Sequence, residues 1–473
     1  MVFSSAIFLF VFLPLVFLLI RLPRRSIRLQ NLLLALASLV FYAFGQLQYL
    51  PLFLVSVLIN FVSGTLLSGR FARSRAVLAV SVVLNLGILG VFKYTDFILR
   101  NLNAALGSSF PMTGIVLPIG ISFFTFQGLS YVIDTYRDPE AGTREFLKLL
   151  LYISFFPQLI AGPIVKYHDV EMQIQDREVT AEEVKNGVFR FAAGLGKKVI
   201  IANGLAAAVD ALYALDPGTL GIGPAWFMIT AYAFQLVFDF SAYSDMAIGL
   251  GKMFGFRFPE NFNYPYISRS VREYWKRNHI SLSTWFREYL YFPLGGSRKG
   301  EGRAVLNLLI VFLATGIWHG AGWTFPVWGL YQALFIILER EHIINSEKWP
   351  RLLATLYTDL TIWVGLVLFR AETFAQAWGV WKAMIGISRT GGETTRIMTE
   401  MVGPYRILLL ILAAFFATPI FRNAVRRWRE SARRRNTILL ADGILMAGTL
   451  ALTLLCLLQL ASDSYNPFIY YRF

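Results

Sequence analysis

Asn307-Leu308-Leu309-Ile310-Val311-Phe312-Leu313-Ala314-Thr315-Gly316-Ile317-Trp318-His319-Gly320 carries no Asp, Glu, Lys or Arg and closes on a histidine and a glycine. Counted back to Ala304, the run reaches His319 after 15 residues, or about 22 Å of helix at 1.5 Å per residue. A bilayer's hydrocarbon core is about 30 Å thick. The histidine therefore falls within the membrane, above the midplane if the helix starts at the cytoplasmic interface. An ionisable group at that depth is by default functional and faces a cavity or the bundle interior. The plain alternative is a histidine that bonds helices to one another. Gly316 and Gly320 leave room beside the imidazole for a ligand or for another backbone.

The rest of the chain supports a membrane reading. Of its 473 residues, 56% are hydrophobic and 15% charged, and the mean hydropathy is +0.55. Soluble chains run at roughly 45–50% apolar and about 25% charged. A soluble enzyme, a disordered chain and a secreted disulfide scaffold are thereby excluded. The single cysteine, Cys456, sits in an apolar run and permits neither a disulfide framework nor a cysteine metal cluster. The net charge of +15 comes from basic residues between apolar runs. That is the pattern of cytoplasmic loops rather than of a nucleic-acid surface.

Stretches of the length and polarity of membrane helices, about 20 apolar residues, lie at 2–20, 31–44, 50–67, 76–92, 115–133, 149–160, 188–212, 225–250, 304–318, 325–338, 353–369, 407–421 and 438–460. Several are short or interrupted. The expectation is an all-α polytopic membrane protein of about eleven to thirteen transmembrane or re-entrant helices, some broken where protein or water buries the freed backbone. The first run lacks the basic flank and cleavage site of a secretory signal. Arg21, Arg24, Arg25 and Arg28 follow it. They place that loop in the cytoplasm with the N-terminus outside, and the basic loops 70–75, 257–303 and 422–435 go to the same side. The tail 462–473 is then external. The whole chain, 1–473, reads as one membrane domain, with 257–303 as a basic amphipathic segment on its cytoplasmic side.

His168 and His342 stand among charged loop residues and read as solvated. His279 stands in Ser270-Val271-Arg272-Glu273-Tyr274-Trp275-Lys276-Arg277-Asn278-His279-Ile280-Ser281-Leu282-Ser283-Thr284-Trp285-Phe286-Arg287-Glu288-Tyr289. Ser270 and Glu273 have capping-box spacing, and Val271, Trp275, Leu282, Phe286 and Tyr289 recur at helical spacing with His279 on their stripe. One amphipathic helix or two short ones follow, with the imidazole turned inward. Read plainly, such a helix is an interfacial anchor. Asp239 and Asp245, inside the apolar stretch 225–250 with Ser241, Tyr243 and Ser244, are costly at membrane depth unless paired or solvated. They are expected to line a polar tunnel or to pair with arginines of the amphipathic segment. No P-loop, HExxH, GxSxG or paired-cysteine motif is present, so ATP-driven work and a metal site are not expected.

Phe238-Asp239-Phe240-Ser241-Ala242-Tyr243-Ser244-Asp245-Met246-Ala247-Ile248-Gly249, Pro259-Glu260-Asn261-Phe262-Asn263-Tyr264-Pro265-Tyr266, the His279 segment, Pro293-Leu294-Gly295-Gly296-Ser297-Arg298 and Trp318-His319-Gly320 together resemble the membrane-bound O-acyltransferase (MBOAT) superfamily. Ser122-Phe123-Phe124-Thr125-Phe126-Gln127, Phe156-Pro157-Gln158-Leu159-Ile160-Ala161-Gly162-Pro163 and Asn466-Pro467-Phe468-Ile469-Tyr470 fit the same pattern, in order over most of the chain. Asn278 departs from it, standing where an aromatic residue is expected, and Ala242 stands where a glycine is. The resemblance implies helices around a central tunnel. It makes His319 the catalytic residue and His279 the second functional histidine.

It further implies transfer of an acetyl group from a cytoplasmic thioester, acetyl-CoA, toward O-acetylation of an exported polysaccharide such as alginate, without a tightly bound cofactor. A hydroxyl on a periplasmic SGNH-type partner is the implied acceptor, and the bacterial inner membrane the implied location. Arg272, Lys276, Arg277 and Arg287 are expected to attract the donor's phosphates. Ser241, Tyr243, Asp245, Trp285 and Trp318 are expected along the substrate path. A transporter or channel subunit of an export system is the rival reading, though no two-half symmetry of the transporter kind is visible. A structural scaffold is a third, and would need neither histidine. Cysteine-labelling or reporter fusions at Arg429 and Tyr470 should report opposite sides of the membrane; an external Arg429 would reverse the orientation drawn from the basic loops.

Overall fold

The structure is a computed structural model that describes residues 1–23, 26–431, 435–462 and 466. Arg24 and Arg25 of the first basic loop, Arg433 and Arg434 of the last, and most of the tail 462–473 lie outside the described residues. Among the described residues every regular element is helical. Among these residues, seven helices are long and apolar enough to cross a membrane, or eight if the pair Gly392–Met401 and Pro404–Phe416, bent by 72°, forms one span.

Several expected spans are reshaped by identifiable residues. The segments 31–44 and 50–67 join into one helical stretch, Ile27–Leu67, through a 3-10 turn at Leu47–Tyr49, where Pro51 opens the next helix. The expected helix over 115–133 starts only at Ile121. Pro118 precedes it, and Gly120 adopts φ 77° where a Cβ would stand 2.7 Å from the Leu159 carbonyl oxygen. The segment 149–160 breaks after Ser154, and Phe156–Leu159 forms a single turn with Pro157 near its start, since proline cannot donate to a continuing helix. The first segment is a π-helix, Phe8–Phe12, running into Leu13–Arg21.

The described residues group into two compact units. The first comprises Met1–Phe191 and Met246–Glu260. Its core is aromatic: Phe8, Phe41 and Phe156 are buried and their ring centroids lie 5.6–6.2 Å apart. Buried Asn60 and Asn85 exchange hydrogen bonds of 3.1 Å between helices Leu50–Leu67 and Arg75–Leu106, a polar contact of the kind that joins helices in lipid.

The second unit comprises Ala192–Asp245 and Asn261–Phe473. Its site-forming helices are α1 (Ile222–Met253, of which residues 222–245 belong here), α2 (Val271–Arg277), α3 (Ile280–Phe286), α4 (Glu301–His319), α5 (Thr324–Arg340) and α6 (Arg351–Arg370). Helices α4 and α5 touch backbone to backbone. A Cβ on Gly316 would strike the Phe325 carbonyl, and one on Gly329 the Phe312 carbonyl. The room beside the imidazole is therefore taken, by the Phe325 backbone at Gly316 and by the Phe325 ring at Gly320. Helix α5 also anchors α2: Glu339 accepts the Val271 and Arg272 backbone N–H groups at 2.7 and 3.0 Å. A carboxylate from a neighbouring helix thus serves the orphan donors of this N-terminus, beside the Ser270 cap, whose hydroxyl accepts the Glu273 N–H at 3.0 Å; the Glu273 carboxylate takes the Arg269 N–H rather than that of Ser270, so the expected capping box is only half formed.

The carboxylates of α1 are paired, but not with arginines of the amphipathic segment. Lys198 Nζ lies 2.6 Å from Asp239 Oδ1, with both side chains 3% exposed, and Lys197 Nζ lies 2.7 Å from Asp245 Oδ2. Both lysines open the π-helix Lys197–Ala202, which lies within the apolar stretch 188–212. The pairing follows from proximity inside the same buried layer: an uncompensated charge there costs several kcal/mol.

Lys198→Met alone should destabilise the protein by about 3–5 kcal/mol, the cost of a buried carboxylate without its partner. Lys198→Met combined with Asp239→Leu should recover most of that loss. Thermal unfolding in detergent checks both, and a double variant no more stable than the single one would contradict the assignment.

Candidate active site

The His279 segment folds as two short helices rather than one. Helix α2 ends at Arg277, Asn278 is extended, and His279 takes a left-handed conformation (φ 47°, ψ 53°) before α3 begins. A non-glycine residue there costs roughly 1–2 kcal/mol, so surrounding contacts hold it. The segment 261–263 supplies them. Ile280 N–H donates to the Asn261 carbonyl at 2.9 Å, and Asn263 N–H donates to that of Arg277 at 2.8 Å. The Asn261 side chain, fully buried, accepts at Oδ1 from Ser281 N–H (3.0 Å) and Ser281 Oγ–H (2.9 Å), with His279 Nδ1 at 3.4 Å.

His319 is the last residue of α4 and is 5% exposed. The α4–α5 interlock sets its ring against Trp328 (centroids 5.2 Å), and Phe369 of α6 adds a third ring at 5.1 Å. Trp318 joins the two histidines, with its centroid 5.0 Å from His319 and 6.2 Å from His279. Phe240 of α1 packs edge-on against His279 at 4.5 Å.

Both imidazoles line one cavity, together with Phe240, Tyr274, Trp275, Asn278, Trp328, Gln332 and Phe369. Its aromatic wall with few polar groups is the kind of lining found at small-molecule sites. Gln332 accepts a 3.3 Å bond from Trp275 Nε1. Trp328 Nε1 is buried without a hydrogen-bond partner among the described residues. Burial pushes the His279 imidazole down, to about 3, so it is neutral near pH 7. His279 lies outside the seven helices that can span the membrane.

The other expected site residues are not among those lining the cavity. Ser241 and Tyr243 are buried on α1, and Asp245 is held by Lys197. Trp285 is buried against Phe286 and Tyr289, with centroids 5.4 and 5.2 Å away. Arg277 is bound to Glu273 at 2.8 Å and to the Asn263 carbonyl. The Arg287 side chain is 57% exposed, with Glu288 at 3.8 Å. Lys276 is exposed and Arg272 half-buried. Sequence reasoning missed Asn261, Trp328 and Gln332. Asn261 stood in a recognised stretch, but its role depends on a residue 20 positions away.

Residues 123–348 match the profile of MBOAT, the membrane-bound O-acyltransferase family. The chain is 38% identical to "Probable alginate O-acetylase AlgI" of Azotobacter vinelandii, with all of both chains covered. It is 36% identical to "Peptidoglycan O-acetyltransferase" of Helicobacter pylori, covering 90% of this chain and 88% of that protein. It is 27% identical to "Teichoic acid D-alanyltransferase" of Bacillus subtilis over 56% of this chain and 71% of that protein. These relatives carry the names of enzymes, which disfavours the transporter reading.

A neutral buried imidazole makes the fold acid-sensitive. Below about pH 6.5 the unfolded chain protonates His279 while the folded chain does not until about 3, so stability falls as pH drops through that window. Melting temperatures in detergent at about pH 7 and about pH 5, either side of the free imidazole's midpoint, should drop further for the wild type than for His279→Gln. Equal drops would mean that His279 does not carry this titration.

Proposed function

We propose, for a chain that belongs to the membrane-bound O-acyltransferase (MBOAT) family, that the cavity of the second unit transfers an acetyl group from a thioester to a hydroxyl. The process served is O-acetylation of an exported polysaccharide such as alginate. The observation that carries the proposal is that two histidines from separate elements, His279 and His319, line one mostly aromatic cavity.

A hydroxyl is a weak nucleophile until a base removes its proton. His319 takes that proton as the oxygen attacks the thioester carbonyl. The tetrahedral oxyanion collapses, the C–S bond breaks, and the thiolate leaves with the proton returned from the His319 imidazolium. The net change is one C–O bond for one C–S bond, with the proton passed from hydroxyl to thiol. The Trp328 indole N–H, buried and available as a donor, suits the transient oxyanion. His279 orients the reacting groups.

The donor proposed is acetyl-CoA reaching the cavity from the cytoplasm, with Arg272, Lys276 and Arg287 drawing in its phosphates. Arg277 is the weakest of the four expected donor contacts, since Glu273 already neutralises it. The acceptor proposed is a hydroxyl on a periplasmic SGNH-type partner that passes the acetyl group to the polymer. The location proposed with this relay is the bacterial inner membrane.

His319→Gln keeps a hydrogen-bonding side chain but supplies no effective base. It should lower acetyl transfer by about 10²–10⁴-fold, the usual worth of general-base help, at near-normal membrane insertion. Thioester turnover by the purified protein and acetyl content of the polymer measure this. A Gln variant that still acetylates would remove His319 from the mechanism.

A further inference from the structure

The Asn261 side chain does more than close a turn. Its amide orientation is fixed by chemistry, because the Ser281 backbone N–H can only donate and the atom it meets at 3.0 Å must be the oxygen. The amide nitrogen then faces Ser244 Oγ on α1, at 3.0 Å. His279 Nδ1 lies 3.4 Å from that same oxygen. The contact is long for an N–H···O bond, and the oxygen on its far side can only accept. An unprotonated Nδ1 would set its lone pair against the oxygen's in a site with no bulk water to screen it, whereas a protonated one donates. In a neutral imidazole one nitrogen carries hydrogen and the other a lone pair, and the partner of the first decides which.

We infer that Asn261 is a positioning residue that fixes His279 as its Nδ1–H tautomer, leaving Nε2 as the lone-pair nitrogen of a residue that lines the acyl-transfer cavity. The tautomer decides what His279 does. At Nε2 it accepts a hydrogen bond or a proton, so it acts on the hydroxyl being activated and not as an N–H donor to the oxyanion. The oxyanion's donors then come from elsewhere, the Trp328 indole being the nearest in kind. The same amide ties this choice to α1 through Ser244 and to the start of α3 through Ser281, so the left-handed turn at His279 and its tautomer are set together.

The inference rests on the assignment of the cavity as the acyl-transfer site, but its test reads the imidazole without turnover. A wrong tautomer and an active His319→Gln variant are therefore separate failures. The chain has four histidines, so the full-length protein labelled with ¹⁵N-histidine gives a sparse nitrogen spectrum, and His279→Gln identifies the His279 signals. Near neutral pH the wild type should show protonated Nδ1 and unprotonated Nε2 at His279. A protonated Nε2 there overturns the inference. In Asn261→Leu the Nδ1–H preference should be lost, with acetyl transfer reduced at least about tenfold, as when a histidine loses the partner that orients it. An unchanged His279 signature in that variant would equally overturn it. Should Asn261→Leu fail to fold, Asn261→Asp keeps the shape and the acceptor. Its carboxylate beside Nδ1 should raise the midpoint of His279 protonation by about 1–3 pH units, and an unmoved midpoint would show that residue 261 does not touch the ring.

Discussion

A polar group buried in an apolar chain has to be met by another polar group of the same chain, and much of this structure follows from that constraint. In a bilayer the alternative is a partnerless dipole or charge in hydrocarbon, at several kcal/mol each. Several buried polar side chains accordingly occur in reciprocal sets: Asn60 with Asn85 in the first unit, Asp239 with Lys198 and Asp245 with the partly exposed Lys197 in the second, and Asn261 with Ser244, Ser281 and His279. Each set joins segments distant in sequence, so it specifies which helices are neighbours, a choice that apolar contact with lipid-like side chains leaves weakly determined.

The reactive side chains inherit their placement from these sets and from close backbone contact. Helix α1 divides its faces. Asp239 is turned to Lys198, while Leu236, Val237 and Phe240 face the cavity. The ion pair thereby fixes the rotation of α1 about its axis, and with it the Phe240 ring against His279. On the other side, Gly316 and Gly329 let α4 and α5 meet at backbone distance. A methyl group at either position would push the helices apart and separate His319 from Trp328. Glu339 carries the same rigid pair across to the N-terminus of α2. The two histidines, 40 residues apart, thus reach one cavity through helices that are pinned to one another.

The all-helical class, the interior position of both histidines and the Ser270 cap that starts α2 were legible in sequence, because each rests on a local signal: composition, a lone ionisable residue in an apolar run, or a three-residue spacing. The break between α2 and α3 was visible only as an alternative, since Asn278 and His279 keep helical spacing while their backbone leaves it. That Asp239 and Asp245 need pairing or solvation at that depth was legible, but their partners were not: these are Lys198 and Lys197, two cations inside the apolar stretch 188–212, rather than arginines of the amphipathic segment. Helix limits near Pro118 and Pro157 shifted for a legible reason. The joining of 31–44 to 50–67 depends on tertiary packing that no window of sequence contains. The part played by Asn261 was beyond reach, because one amide oxygen serves a turn, a hydroxyl and an imidazole only once the chain has folded.

The two histidines are set by different neighbours. Trp318, Trp328 and Phe369 pack against the His319 ring, with centroids 5.0–5.2 Å away, and edge-to-face packing orients the plane of a ring. His279 adds a polar contact at one nitrogen, Nδ1 beside the Asn261 amide oxygen, in a left-handed turn held by backbone bonds to Asn261 and from Asn263. A ring anchored through Nδ1–H can take up a proton at Nε2 without losing its anchor, so it presents the same lone pair at the start of every turnover. The direction of that lone pair is then built into the turn, because the residue that holds the backbone also holds the ring.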